Sequence, residues 1–333
     1  MKAAIIGLGA MGKVHLDTVC SISDFDSVVA CDISKDNLNL LKEKYFQVTF
    51  YEDHKLLFEK EKPDYVSVVT LGSSHLAIVK DAVQSGVKYI LCEKPISTNL
   101  VDAEEIVSLS KNNDVKIAIN HSRRGMEFYQ SVKDKFLPEI GGVKSFFFSC
   151  GGGRLGSVGV HLFDMFRYLS DKEFTSAYGV LDLNYSGDHK GRDVFDPGAS
   201  VLYMMEDNIR CYMDVTDDIG TGVFLVISGP YGRIVVNEGA NYAFMECRSK
   251  EDKEKRLGQY TLPLIKTNLD YISLDLRNAT KEMIESLIKG DILCSTNDGL
   301  KAVEPVLAMH LCSKDKKVVT FPLKEKDFNV NIT

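Results

Sequence analysis

The segment "KAAIIGLGAMG", residues 2–12, restricts the possible folds more than any other part of the chain. Residues 2 to 6 read as a short apolar strand, and "GLGAMG" spans 7 to 12. A helical spacing of apolar residues then continues through Val19. Three glycines between strand and helix have separable uses. Gly7 permits a tight turn, Gly9 lets the backbone approach a ligand, and Gly12 lets the helix lie close against the strand. The helix start then presents unpaired N–H groups, which favour an anion such as a pyrophosphate.

A second strand, "SVVACD" at 27–32, places Asp32 at the distance beyond the glycines where a carboxylate accepts hydrogen bonds from an adenosine ribose. A carboxylate repels a 2′-phosphate, so the pattern predicts NAD, with NADP the lesser alternative. Lys35 is near enough in sequence to soften that preference. An N-cap role for Asp32, ahead of a helix from about Ser34, is the competing use. Met11, inside the turn, is grouped with the cofactor contacts.

Strand and helix patterns keep alternating through "VTFYE", "DHKLLFEKE", "DYVSVVT" at 64–70, a helix from Ser74 to Gln84, and "KYILC" at 88–92. A helix from Val101 to Lys111 and "VKIAIN" at 115–120 follow. Such repetition predicts a doubly wound parallel sheet with helices on both faces. Strand ends at Thr70, Cys92 and Asn120 then open on one crevice. "LCEKPIS", 91–97, sets Glu93 and Lys94 directly behind a buried strand, where a lysine meets ligand instead of bulk water. His75 is expected on the nicotinamide side of the crevice, or else simply at a helix start.

A chain of 333 residues exceeds the usual size of one core, so two domains are predicted. The first is a nucleotide-binding domain over 1–120. The second covers 121–333, with room for its C-terminal segment to return to the first. After Arg123 comes a helical stretch and "GGVKSFFFSC". Apolar runs then recur between turns: "AYGVLDLNY" at 177–185, "ASVLYMME", "IRCYMDVT", "GVFLVISG" and "RIVVNE". These read as antiparallel strands, because no helix-length segment separates them.

A net charge of −7 argues against a broad nucleic-acid surface, and no apolar stretch approaches the roughly 20 residues of a membrane span. The eight cysteines are scattered with no C-x-x-C pair, as small buried thiols of a reducing cytosol would be. A cytoplasmic protein with no metal site is expected.

The chain resembles the glucose-fructose oxidoreductase, inositol dehydrogenase and rhizopine-catabolism (Gfo/Idh/MocA) family. The resemblance rests on "GLGAMG", "TLGSSH" at 70–75, "EKPIS" at 93–97, "NHSRR" at 120–124, "GVHLFDMFRYL" at 159–169, and the closing stretch from 283 to 313. It implies an α/β protein with an N-terminal Rossmann domain and a C-terminal α/β domain on a large, mostly antiparallel sheet. It further implies NAD(P)-dependent chemistry at a sugar or cyclitol carbon, and a homo-oligomer formed through the sheet face. The lysine of the EKP motif, Lys94, is implied to contact the reacting hydroxyl, and Pro95 to fix the backbone through a cis bond.

Hydride transfer requires a group to handle the hydroxyl proton, and Lys94 and His161 are the catalytic candidates. Glu93 would orient the lysine or satisfy a loop amide. If 157–169 is helical, Ser157, His161 and Asp164 share one face, with Tyr168 next along it. Leu162, Phe166 and Leu169 then face the core. Many family members carry an aspartate four residues before this histidine; Ser157 stands there instead and shifts the burden to Lys94 and His161. Asn120, Arg123, Arg124 and Arg154 fall near the crevice, and an arginine suits a phosphate or carboxylate.

The leading expectation is thus oxidation or reduction of a ring hydroxyl or keto carbon of a sugar, with a nucleotide-sugar of surface-glycan biosynthesis as its specific form. The alternatives are a catabolic sugar or inositol dehydrogenase and an NAD-binding regulator without turnover.

Overall fold

In a computed structural model of the chain, residues 1–184, 194–258, 261–270, 275–330 and 332 are described. The first sheet is built from β1 (Lys2–Ile6), β2 (Ser27–Cys31), β3 (Thr49–Tyr51), β4 (Tyr65–Val68), β5 (Tyr89–Cys92) and β6 (Lys116–Ile119). All pairings are parallel, in the order β3-β2-β1-β4-β5-β6. Between them run α1 (Ala10–Val19), α2 (Lys35–Lys42), α3 (His54–Glu61), α4 (His75–Gln84) and α5 (Leu100–Asn112).

Helices on both faces bury β1, β4 and β5 almost completely, which explains their unbroken apolar runs. The order turns at β1 and β4, and in such sheets ligands occupy the crevice beyond the strand ends at that turning point.

Past β6 the chain makes two short helices, α6 (Glu127–Ser131) and α7 (Leu137–Glu139), then β7 (Ser145–Gly151) and α8 (Val160–Ser170). A run of strands follows: β8 (Phe174–Leu181), β9 (Ala199–Met205), β10 (Arg210–Thr216), β11 (Phe224–Ser228), β12 (Gly232–Asn237), β13 (Tyr242–Cys247) and β14 (Ile265–Leu269). The long helices α9 (Leu276–Lys289) and α10 (Thr296–Asp315) and a short β15 (Val319–Thr320) complete the second half.

The second sheet has nine strands in the order β14-β13-β12-β11-β7-β10-β9-β8-β15. It is antiparallel except where β7 meets β10. β13, β14 and β15 have no counterpart among the sequence-predicted runs, and β8 starts before its predicted run and stops short of that run's last residue, Tyr185, which lies outside the described residues. Alternation sets the inner face: Phe146, Phe148 and Cys150 of β7 point inward, and Phe146 stacks on Phe166 of α8 at 4.4 Å.

The last helices return to the first sheet, α9 packing on α1 and α10 on α5 and α8. One buried ion cluster joins the two halves. Arg124, just after β6, donates from Nε and NH2 to the two carboxylate oxygens of Asp164 on α8, at 2.8 and 2.7 Å, and from NH1 to the Leu293 carbonyl at 3.0 Å. Asp298, at the start of α10, lies 3.2 Å from both Arg124 and Arg167.

Breaking such a buried pair strands a charge. Asp164→Ala is expected to lose about 3–5 kcal/mol in urea unfolding, whereas replacing both partners by apolar residues of similar volume should cost much less. A single-variant loss under about 1 kcal/mol would contradict this account of the junction.

Candidate active site

The glycine turn has the geometry its letters suggest. Gly7 sits at φ +95°, and a Cβ there would meet the Val69 carbonyl oxygen at 2.5 Å. A Cβ on Gly12 would come within 2.0 Å of the Gly7 carbonyl oxygen, so α1 can lie this close only without a side chain. Gly9 is the N-cap of α1 and has nothing within 4 Å of its would-be Cβ. The helix start has no side-chain cap and no acidic residue in its first turn, so its N–H groups face open space.

Asp32, nearly buried, accepts the Leu8 N–H at 2.6 Å on one oxygen and the Ser34 N–H at 2.7 Å on the other. It ties the turn to the end of β2, while Ser34 caps α2. Ile33, 91% exposed, and Leu71 border the same cleft and offer apolar flanks to a flat ring. Lys35 is exposed and lies 3.6 Å from Glu52.

This cleft has a volume of about 880 Å³ and runs from the Gly7, Gly9 and Met11 turn past Asp32 and Thr70 to Glu93, Lys94, Asn120, Ser157 and His161. The cradle at Gly9, the uncapped helix start and Asp32 together fit the diphosphate and ribose of a dinucleotide.

At the far end, Glu93 is the centre of a buried network. Its Oε1 lies 2.9 Å from His15 Nε2 and accepts from Asn120 Nδ2 at 2.6 Å, and its Oε2 accepts the Lys94 N–H at 3.2 Å. Burial pushes the Glu93 carboxyl up, but His15, Lys94 and Asn120 outweigh it and hold it down to about 2. An ionised carboxylate only accepts, so His15 Nε2 must carry a proton. His15 Nδ1 lies 3.0 Å from Ser67 Oγ, and Ser67 pairs with the Tyr65 hydroxyl at 2.7 Å. The same reasoning turns the Asn120 amide nitrogen toward Glu93. Its Oδ1, buried and without a hydrogen-bond partner among the described residues, is left for a ligand donor.

Lys94 follows at once, joined to Pro95 by a cis peptide bond, and its Nζ reaches across to donate to the Ser157 carbonyl at 2.9 Å. Ser157 lies in a π-helical turn, Leu155–Gly159, that precedes α8, so the single α-helical face expected over 157–169 is not formed. Ser157 and His161 border the cleft; Asp164 lies behind its wall, bound to Arg124. His161 Nδ1 is buried without a hydrogen-bond partner among the described residues, and its ring stands edge-on to His121 at 5.4 Å. Burial pushes the His161 imidazole well below its ordinary value, and Lys94, Arg123 and His121 push the same way. It is therefore neutral at physiological pH.

Several expected contacts lie elsewhere. His75 is fully buried outside the cleft lining, its ring nitrogens 3.0 Å from the Pro95 and Thr70 carbonyl oxygens, where it braces the β4 end against the loop after β5. Arg123 closes its fork on Glu238, and Arg124 on Asp164. Arg154, buried in the wall, does not border the cleft. His121, Asp164 and Cys294 have ligand atoms within 4.8 Å of one another, but the Arg124 guanidinium already supplies the cation that this carboxylate needs.

Sequence reasoning missed His15, Ser122 and Leu276. A histidine on an apolar helix face and a leucine opening a distant helix gave no signal that they would meet this site.

Residues 1–121 match the family model described as an oxidoreductase family with an NAD-binding Rossmann fold, Gfo/Idh/MocA. The chain is 27% identical to myo-inositol 2-dehydrogenase of Thermotoga maritima over 54% of its length and 57% of that protein's. It is 26% identical to an inositol 2-dehydrogenase/D-chiro-inositol 3-dehydrogenase of Lacticaseibacillus casei, over 70% and 71% respectively. The match thus spans little more than half of the Thermotoga relative.

Among solved structures, a levoglucosan dehydrogenase with NADH and levoglucosan superposes with a TM-score of 0.79, at 16% identity and over 97% of this chain and 100% of that one. A Lactobacillus casei scyllo-inositol dehydrogenase with NAD(H) and scyllo-inositol gives 0.75 at 18% identity, over 96% and 98%. Those two likenesses establish the fold. The glycine turn and the EKP loop thus lie within the 121 residues that match the Gfo/Idh/MocA oxidoreductase family model, and the whole chain shares the fold of the two solved dehydrogenases.

Proposed function

We propose that the protein is an NAD-dependent dehydrogenase that moves a hydride between the cofactor and a ring carbinol carbon of an uncharged polyol, an inositol or a sugar. One observation carries the reading: the Lys94 amine stands at the end of the same cleft that opens on the glycine turn. When bound, the nicotinamide accepts or returns the hydride. Lys94 holds the reacting hydroxyl oxygen and exchanges its proton, as general acid–base chemistry requires. Asn120 Oδ1 accepts from a neighbouring hydroxyl, and the neutral His161 ring accepts from or donates to another, and together they choose which carbon is presented.

Among the described residues bordering the cleft, Lys94 is the one lysine or arginine. With Arg123 and Arg124 closed on carboxylates, a substrate diphosphate would find little to neutralise it. This favours an uncharged polyol over the nucleotide-sugar form of the reaction. Relatives named as inositol and D-glucoside dehydrogenases support the same choice.

Purified protein given NAD and a panel of inositols and free sugars should generate NADH. Lys94→Ala should lower kcat roughly 100- to 10,000-fold while NAD still binds. A protein that binds NAD but oxidises nothing in the panel would instead be read as a sensor.

For the cofactor, Asp32→Ala should weaken NAD binding about 10-fold or more and narrow the preference over NADP, as titration calorimetry would show. An unchanged ratio would remove Asp32 from cofactor choice.

The pH profile has a direction too. Because His161 is held neutral well into acid, kcat/KM for polyol oxidation should show no protonation break near the ordinary histidine value of about 6.5. A break there that vanishes in His161→Gln would show that the ring titrates normally.

A further inference from the structure

The π-helical turn that carries Ser157 is held from outside. Asp196, fully buried in the segment leading into β9, accepts the Gly156 N–H at 2.6 Å on Oδ1 and the Ser157 N–H at 3.0 Å on Oδ2. The next residue, Pro197, accepts the Leu155 N–H at 3.2 Å. Three consecutive amides of the turn are thus fastened to one two-residue segment of the nine-stranded sheet. On the other side, the Val158 and Gly159 N–H groups both donate to the Arg154 carbonyl, at 2.8 and 2.9 Å. Ser157 is therefore clamped at its own N–H and at the peptide that follows, which leaves its carbonyl aimed at Lys94 Nζ. Gly156 is required for this approach, since a Cβ there would come within 3.1 Å of Asp196 Oδ1 and 2.7 Å of Ile332 Cβ.

We propose that Asp196 is a positioning residue for the reaction: by fixing the Ser157 peptide it sets where the Lys94 amine stands at the end of the cleft. The role rests on the reading of Lys94 given above. Asp196 touches neither cleft nor cofactor crevice, yet it decides whether the amine that meets the hydroxyl has a fixed perch or a mobile one. The carboxylate precedes β9 of the second sheet while the lysine follows β5 of the first, so the second sheet takes part in the chemistry.

The test uses the full-length protein with Asp196→Asn, whose amide can accept one of the two N–H groups but turns a second donor toward the other. Asp196→Ser, smaller and still an acceptor, is the companion variant should the first fold poorly. Two readouts are taken. Trace acetic anhydride labels lysines, and mass spectrometry gives the Lys94 rate relative to the other lysines; kcat and the KM values are measured with NAD and the best polyol.

Release of the amine should raise Lys94 labelling about fivefold, the factor expected for one lost hydrogen bond. It should lower kcat about tenfold and leave the KM for NAD unchanged. A merely structural carboxylate would lower the melting temperature and move neither number. Labelling and kcat both within about twofold of the parent, in either folded variant, would overturn the proposal. If the parent protein oxidises no polyol, the reading of the reaction falls, and the labelling rate alone still decides whether Asp196 positions Lys94.

Discussion

Much of this structure hangs on one carboxylate kept ionised where water cannot reach it. Glu93 is 5% exposed, and such a charge persists only because His15, Asn120 and the Lys94 peptide N–H each give it a hydrogen bond. Those partners come from α1, from the end of β6 and from the loop itself, and Asn120 also reaches Thr280 of α9. A single acceptor therefore fixes the relative positions of the nucleotide helix, two strand ends and a helix from the far end of the chain. The loop that bears Lys94 has little freedom to move while that charge is satisfied.

The consequence for chemistry is that Lys94 is gripped at both ends. Its backbone is held by Glu93 and its amine by the Ser157 carbonyl, which belongs to the other half of the molecule. The Arg124, Asp164 and Asp298 cluster keeps those halves in register a short way behind the cleft. Burial pushes the Asp298 carboxyl up, yet Arg124, Ser295 and Arg167 hold it down to about 2, so Asp298 stays charged across ordinary pH. Two buried polar systems, one around Glu93 and one around Arg124, thus flank a site whose own groups, Asn120 Oδ1 and the His161 ring, are left available for ligand.

An arginine next to a crevice is ambiguous in a sequence, since the same side chain serves a substrate anion or a structural carboxylate. Arg123 and Arg124 show how the ambiguity resolves. Their partners, Glu238 and Asp164, lie 115 and 40 residues away, and nothing local announces either pair. The same distance hid Asp196, which reaches the Ser157 amide from 39 residues downstream.

What the sequence by itself determined is what local sterics and periodicity govern. The glycine turn could be read because a positive φ at Gly7 and a near-contact at Gly12 allow no other residue. The parallel sheet was legible because strands buried on both faces need unbroken apolar runs with helices between them, and the second sheet because its strands alternate and lack such helices. Asp32 and the EKP loop were findable since each sits at a strand end. Tertiary structure alone decided which polar groups face the ligand and which face one another. His75 and Asp164 turned into the protein, the helix expected from Ser157 began at Val160, and His15 met Glu93 across 78 residues. A buried charge is satisfied by whichever partner folding brings to it, and that choice depends on contacts between distant segments that no local pattern encodes.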